Sequence, residues 1–166
     1  MPVRACLRPG RPAALAVALG LAAASGAGGA PAAAAERLAG PVAADLVGVV
    51  DGDTVDVRAH IWLGQTVETR VRLDGIDTPE SRGDCEAETR AAALATQRLV
   101  ELLGAGPVVL TDIRYGTCAG RVVARVAGPD GTDVADSMVS EGLAAAYDGR
   151  GSRPDWCERL AARQDD

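Results

Sequence analysis

Between residues 45 and 127 the chain alternates short β-branched runs with turn residues, and one longer stretch breaks that rhythm. Runs 45–50, 54–61 and 66–73 are rich in Val, Ile and Thr and are bounded by Gly or Asp, the pattern of strands. In the third, Val67, Val71 and Leu73 alternate with Glu68, Arg70 and Arg72, the period of a half-buried strand. Leu63-Gly64-Gln65 predicts the hairpin turn before it. From 85 to 103 the period changes. Ala87, Ala91, Leu94, Ala95 and Leu102 recur at helical spacing, while Glu88, Gln97, Arg98 and Glu101 fall elsewhere, and Gly104 supplies a stop. Runs 107–111 and 121–127 predict two more strands. A Gly128-Pro129-Asp130-Gly131 turn leads to a helix over 134–141, ended by Gly142. A last helix is predicted over 154–163, with Pro154 in its tolerant first turn. Residues 36–44, with Gly40 and Pro41, read as a short lead-in. Five strands with a helix after the third, then helices, predict an α+β, mainly β, five-stranded barrel rather than a βαβ sheet.

What precedes residue 36 has a different character. Arg4, Arg8 and Arg11 come before an apolar run over 13–24, and small residues follow up to Ala33-Ala34-Ala35. That order is the order of a secretory signal peptide. The run is shorter than the roughly 20 residues that span a bilayer, and an uncleaved anchor is the alternative. Cys6 precedes the run, outside the place of a lipidation site. The expectation is a signal peptide at 1–35 and one folded domain at 36–166, secreted or periplasmic, free of the membrane after cleavage and monomeric.

Removing residues 1–35 takes away three Arg and no acid, which lowers the formal net charge from −6 to −9. Every cation is Arg, since the chain has no Lys. Such an acidic domain lacks the basic footprint of a protein that grips duplex non-specifically, and only a local cationic pocket stays open to it. Trp62, Tyr115, Tyr147 and Trp156 are its aromatics, too few and too scattered for a base-stacking platform. Cys85, Cys118 and Cys157 remain after processing, enough for one disulfide and one thiol. Three pairings exist. Cys85 with Cys157 is favoured because both lie in irregular segments beside helices, and so long a loop would contribute roughly 4 kcal/mol. With no CxxC pair and His60 the sole histidine, a zinc site is disfavoured.

Two acidic turns carry the candidate chemistry. Asp51-Gly52-Asp53-Thr54 alone is a common hairpin signal, and Asp77-Thr78-Pro79-Glu80 alone is a rigid turn. Set two strands apart, at one edge of a barrel, they become specific. Asp53, Asp77 and Glu80 can hold a hard cation and a water, and the Thr78 carbonyl can add a neutral oxygen. Arg72, five residues before Asp77, suits a bidentate phosphate contact, although a paired structural charge is the plainer reading. Arg121, at the start of the fifth strand, offers a second contact. His60 reads as a surface residue, Asp56 and Asp74 as solvated carboxylates, and Trp156 as cover for a disulfide.

VVDGDTV, then RVRLDGIDTPE, then a Tyr-Gly and a Gly-Arg ahead of a strand, resemble the staphylococcal nuclease (thermonuclease) family over residues 45–147. The resemblance implies an OB-fold barrel with about three helices, and a Ca²⁺-dependent endonuclease that hydrolyses DNA and RNA to 3′-phosphate products. It implies Asp53 and Asp77 as carboxylate ligands of calcium and Thr78 as the carbonyl ligand. Arg72 and Arg121 match the catalytic arginines, Glu80 the catalytic glutamate, and Tyr147 a substrate-pocket tyrosine. The family's Asp-x-Tyr-Gly-Arg run departs here to Arg114-Tyr115-Gly116-Thr117-Cys118-Ala119-Gly120-Arg121. Tyr115 is therefore a nucleotide-binding candidate in a longer loop, and Arg114 and Arg125 are alternatives to Arg121. Two other readings remain. One is a non-catalytic barrel that binds nucleic acid or protein. The other is a disulfide-stabilised envelope module that binds calcium structurally.

Overall fold

The computed structural model describes residues 36–116 and 121–163. The expected signal peptide, the segment 117–120 with Cys118, and residues 164–166 lie outside the described residues. In chain order the elements are β1 (Arg37–Leu38), β2 (Val42–Asp51), β3 (Thr54–Trp62), β4 (Gln65–Leu73), β5 (Ile76–Asp77) and α1 (Glu86–Leu103). They continue with β6 (Pro107–Tyr115), β7 (Arg121–Ala127), α2 (Val134–Ser140), β8 (Ala145–Ala146) and α3 (Trp156–Ala162). The five longer strands pair in the order β6-β2-β3-β4-β7, and β7 pairs back onto β6. The result is a closed barrel, mixed because β4 and β7 run parallel while its other pairs are antiparallel. With three helices among the described residues it is the mainly β, OB-type barrel expected from the strand pattern.

The alternation in β3 and β4 is what closes it. Val55, Val57, Val71 and Leu73 point inward and are fully buried. The outward positions pair opposite charges directly across the strands: Asp56 faces Arg70 and Arg58 faces Glu68 in the register. Their side chains meet at 2.8 Å and 2.7 Å, the cross-strand pairing that fixes a register. Leu99 and Leu103 of α1 and Met138 of α2 join this core, each full burial contributing about 1.5–3 kcal/mol. His60 is on the surface, beside Asp45.

The structure corrects the sequence in several places. The hairpin turn is the two residues Leu63-Gly64, with Gln65 already paired to Trp62. The lead-in is partly strand: β1 adds to β6, and β2 starts at Val42. Pro154 lies before α3, whose N-cap is Asp155, accepting from the Glu158 N–H at 2.9 Å. The buried row of α1 is Glu88, Ala92, Ala95, Leu99 and Leu103, so of the row expected to face the core only Ala95 is buried. Leu94 is 58% exposed. With Ala and Leu on every side of this helix, adjacent rows look alike in sequence. The barrel selects the row that carries Leu99 and Leu103. Among the described residues no helix is long and apolar enough to cross a membrane.

Candidate active site

The β2–β3 turn is pressed against the rest of the site, and Gly52 permits it. A Cβ there would lie 2.9 Å from both Thr78 Oγ1 and Ala95 Cβ, closer than any side chain tolerates. The turn is held by the Asp53 N–H to Asp51 Oδ1 bond (3.1 Å) and by the Leu73 N–H to the Asp53 carbonyl (2.8 Å). Asp53 is thereby buried. Its Oδ1 accepts from Thr54 Oγ1 and from Arg72 Nη1, both at 2.8 Å. Arg72 Nη2 reaches Asp77 Oδ1 at 3.1 Å. One guanidinium therefore bridges a carboxylate of the β2–β3 turn and one of β5. Asp77 is held from the other side by the pairing of β5 with β8, and the Tyr147 N–H donates to the Gly75 carbonyl at 2.8 Å.

Three residues join this cluster that the sequence did not single out for it. Arg153, in the loop before α3, donates through Nε to Asp77 Oδ1 (2.7 Å) and through Nη2 to Asp77 Oδ2 (3.2 Å) and the Thr78 carbonyl (3.3 Å). Its Nη1 is bonded to Glu80 Oε1. Trp156, expected only to cover a disulfide, is buried and donates from Nε1 to Asp77 Oδ2 at 3.0 Å. Glu88 is 7% exposed on the buried row of α1, and its carboxylate accepts the N–H groups of Glu80 (3.2 Å) and Asp84 (3.0 Å). Gly83 makes room for it, since a Cβ there would fall 2.4 Å from the Glu88 carboxyl carbon. Glu88 thus fixes the backbone from which Glu80 projects. Cys85, the residue before α1, is disulfide-bonded to Cys157 of α3, which ties the Arg153 segment to the same loop. Glu88 lies close to both sulfurs, but their bond to each other leaves no thiolate there for a metal.

Outside this buried cluster lies a cleft of about 650 Å³. Arg72, Glu80, Arg121, Tyr115, Tyr147, Arg150 and Arg153 line it, so the cleft gathers the expected phosphate-facing residues. Arg121 comes from β7, paired in parallel with Arg70 of β4, one outward position from Arg72. Tyr115 is largely exposed at the end of β6, and the Tyr147 hydroxyl donates to the Gly151 carbonyl at 3.2 Å. The two alternatives to Arg121 are engaged in ion pairs, Arg114 with Asp74 within the lining of the same cleft and Arg125 outside it. Arg114 makes a two-pronged pair with Asp74 at 2.5 and 2.7 Å. Arg125 pairs with Asp133 and Asp136 at the start of α2. Asp74 was read as a solvated carboxylate, yet its bonds to Arg114 hold its pKa below the ordinary aspartate value, against the opposing effect of partial burial.

The electrostatics of the cluster are uneven. Burial pushes Asp53 up from 3.8 to about 6, against the pull of Arg72, and Asp51 adds to the rise. Burial pulls the Arg153 guanidinium down, but Asp77 and then Glu80 outweigh it and hold the group above its usual value. Two carboxylates and a backbone carbonyl, gathered around two guanidinium forks, form an all-oxygen donor set suited to a hard cation.

The chain matches the family described as staphylococcal nuclease homologue over residues 70–165, a span that holds Arg72, Asp77, Thr78, Glu80, Arg121, Tyr147 and Arg153 and begins after the Asp51–Asp53 turn. It is also 31% identical over 106 residues to a protein of Escherichia coli named as an uncharacterized endonuclease. That match covers 62% of this chain and 60% of the relative. With more than half its length matched, and with the acidic turns and arginines brought to one barrel edge, the chain belongs to the staphylococcal nuclease homologue family.

Proposed function

We propose that the protein is an exported, calcium-dependent nuclease that hydrolyses phosphodiester bonds of DNA, RNA or both. The observation that carries this reading is the Arg72 guanidinium, bridging Asp53 and Asp77 at the wall of a cleft that also holds Glu80 and Arg121. Asp53, Asp77 and the Thr78 carbonyl would hold the ion. When bound there, Ca²⁺ supplies Lewis-acid polarisation of a phosphoryl oxygen and a fixed point for water. Glu80, half-exposed and with its backbone fixed by Glu88, takes the proton of the water that adds to phosphorus. Arg72 and Arg121 stabilise the extra negative charge of the crowded phosphorus. The bond to the 5′-oxygen breaks, and that oxygen takes a proton from the open cleft. Tyr147 and Tyr115 flank the nucleotide. Export is supported by the charged, apolar, small-residue order of residues 1–35 and by the disulfide.

The test is purified protein on single-stranded DNA and RNA, with Ca²⁺ and with EGTA. Cleavage that needs Ca²⁺ and yields 3′-phosphate ends is expected. No cleavage from neutral to alkaline pH would overturn the enzyme reading, and Ca²⁺-dependent thermal stabilisation without cleavage would favour the structural calcium module.

A further inference from the structure

Arg153 makes four contacts to the site, and three are to atoms also assigned to the cation: both oxygens of Asp77 and the carbonyl of Thr78. The remaining contact goes to Glu80. Arg72 takes one oxygen of each carboxylate, Asp53 Oδ1 and Asp77 Oδ1, and is bonded neither to Asp77 Oδ2 nor to the Thr78 carbonyl. A calcium ion needs its oxygen ligands at about 2.3–2.6 Å, and a guanidinium bonded at once to both oxygens of Asp77 and to the Thr78 carbonyl competes with an ion for the space those three atoms share. Two positive charges a few ångströms apart in a partly buried place repel each other, with less screening than at the open surface.

We propose that Arg153 is a further residue of the cation site, one that contributes a competing charge instead of a ligand. Its guanidinium holds Asp77 and Thr78 when no metal is bound, and a divalent cation binds by displacing it. The inference rests on the reading of Asp53, Asp77 and Thr78 as the cation site. What exchanges is the side chain and not the segment. Trp156 stays bonded to Asp77, and the disulfide at Cys157 anchors α3 to the loop before α1. Arg153 is 42% exposed along its side chain and, with Glu80, lines both the main cleft and a neighbouring one of about 490 Å³, so the displaced guanidinium has room on either side. Its departure removes one positive charge from around Asp77 as the cation's two arrive. Arg153 thereby sets how much cation is needed to load the site.

The experiment is calorimetric titration of the chelator-stripped protein with CaCl₂, which reads binding without reference to cleavage. Arg153→Gln keeps a polar side chain and leaves Asp77 with Arg72 and Trp156. It should bind Ca²⁺ roughly tenfold more tightly or better than wild type. Arg153→Lys, which keeps the charge but loses the fork, should fall between the two and carries the test if the Gln variant does not fold. Arg58→Gln removes the same charge from the distant β3–β4 hairpin and should leave affinity unchanged. Asp53→Asn and Asp77→Asn identify the site. If both abolish binding while Arg153→Gln binds no better than wild type, the site reading stands and the competition is overturned. An equal gain in Arg58→Gln also overturns it, because bulk charge would then be the cause. If no form binds, or if the Asn variants bind like wild type, the site reading itself fails and takes the proposal with it.

Discussion

Asp53 tests whether burial or its ion pair governs the site. The carboxylate is 2% exposed and lies 2.8 Å from Arg72. Burial wins in the native state and raises its pKa from 3.8 to about 6. The unfolded chain releases this proton near pH 4, whereas the native state keeps it until about pH 6. Between those values the native state binds more protons, so stability falls as pH rises through the window and the loss is nearly complete at pH 7. The gap, at about 1.4 kcal/mol for each pH unit, makes a loss on the order of 3 kcal/mol. Asp53→Asn cannot titrate, so the difference between wild type and variant isolates this group from the other acids. Thermal unfolding in EDTA from pH 4 to pH 8 should show wild type falling relative to Asp53→Asn by roughly 10 °C for a domain of this size. If Asp53 is a calcium ligand as proposed, saturating Ca²⁺ at pH 7 should reverse the order, because a ligand bound only to the native state stabilises it and the variant lacks one of the carboxylate oxygens. A difference that stays flat with pH, or that turns in wild type's favour as pH rises in EDTA, would show that the Arg72 pair outweighs burial and would refute the argument.

Other expectations separate neighbouring residues. Arg72→Ala and Arg121→Ala should each cost about 3–4 kcal/mol of transition-state stabilisation in kcat/KM, while Arg125→Ala, engaged at the start of α2, should stay within a few-fold of wild type. Steady-state kinetics on a defined oligonucleotide read both. Replacing Cys85 and Cys157 by Ser opens a loop of 72-residue separation and should lower stability by about 4 kcal/mol in urea denaturation, with a mass map of the unreduced protein showing the bridge in wild type. Gly52→Ala should destabilise the fold by about 1–3 kcal/mol and weaken Ca²⁺ binding, because its methyl group must push the Asp53 turn off Thr78 and α1.

The barrel was legible because its strands carry clean alternation, and a turn residue or proline marks most of their ends. The two acidic turns were legible for a related reason: each is a compact run whose backbone is fixed locally, so spacing alone sets several side chains. Arg153 and Trp156 were not. They reach Asp77 across 76 and 79 residues, from a Gly-rich loop and the first turn of a short helix, and neither place has a period that aims a side chain. Glu88 was hidden for a different reason. One of three glutamates on an Ala-rich helix reads as its solvent face, and only the folded loop reveals two N–H groups waiting for it. The pairing of Cys85 with Cys157 was anticipated from their irregular, helix-flanking positions, and the three-dimensional reason is that both helices begin beside the same loop.

On the proposed nuclease reading, an acidic domain whose cations are all Arg meets a phosphodiester through a few guanidinium forks, and Arg72 and Arg153 divide that work. A guanidinium carries five N–H groups in a fixed fork. Arg72 spends one on Asp53 and one on Asp77, so it can hold the carboxylate frame and still present a face to a phosphate. A lysine ammonium, with three donors on one point, could not bridge both carboxylates in that geometry and also meet a phosphate with a fork. Arg153 spends four contacts within the protein, on Asp77, Thr78 and Glu80. It has no fork left for substrate while it stays there. The same residue type therefore occupies two distinct positions. Arg72 keeps donors open toward the cleft in the native arrangement, whereas Arg153 must leave Asp77 before it can act on anything else. For a polyanionic substrate, as proposed, the net negative charge makes that division consequential, because long-range attraction does little to gather the polymer and the few guanidinium forks in the cleft must do it at contact range.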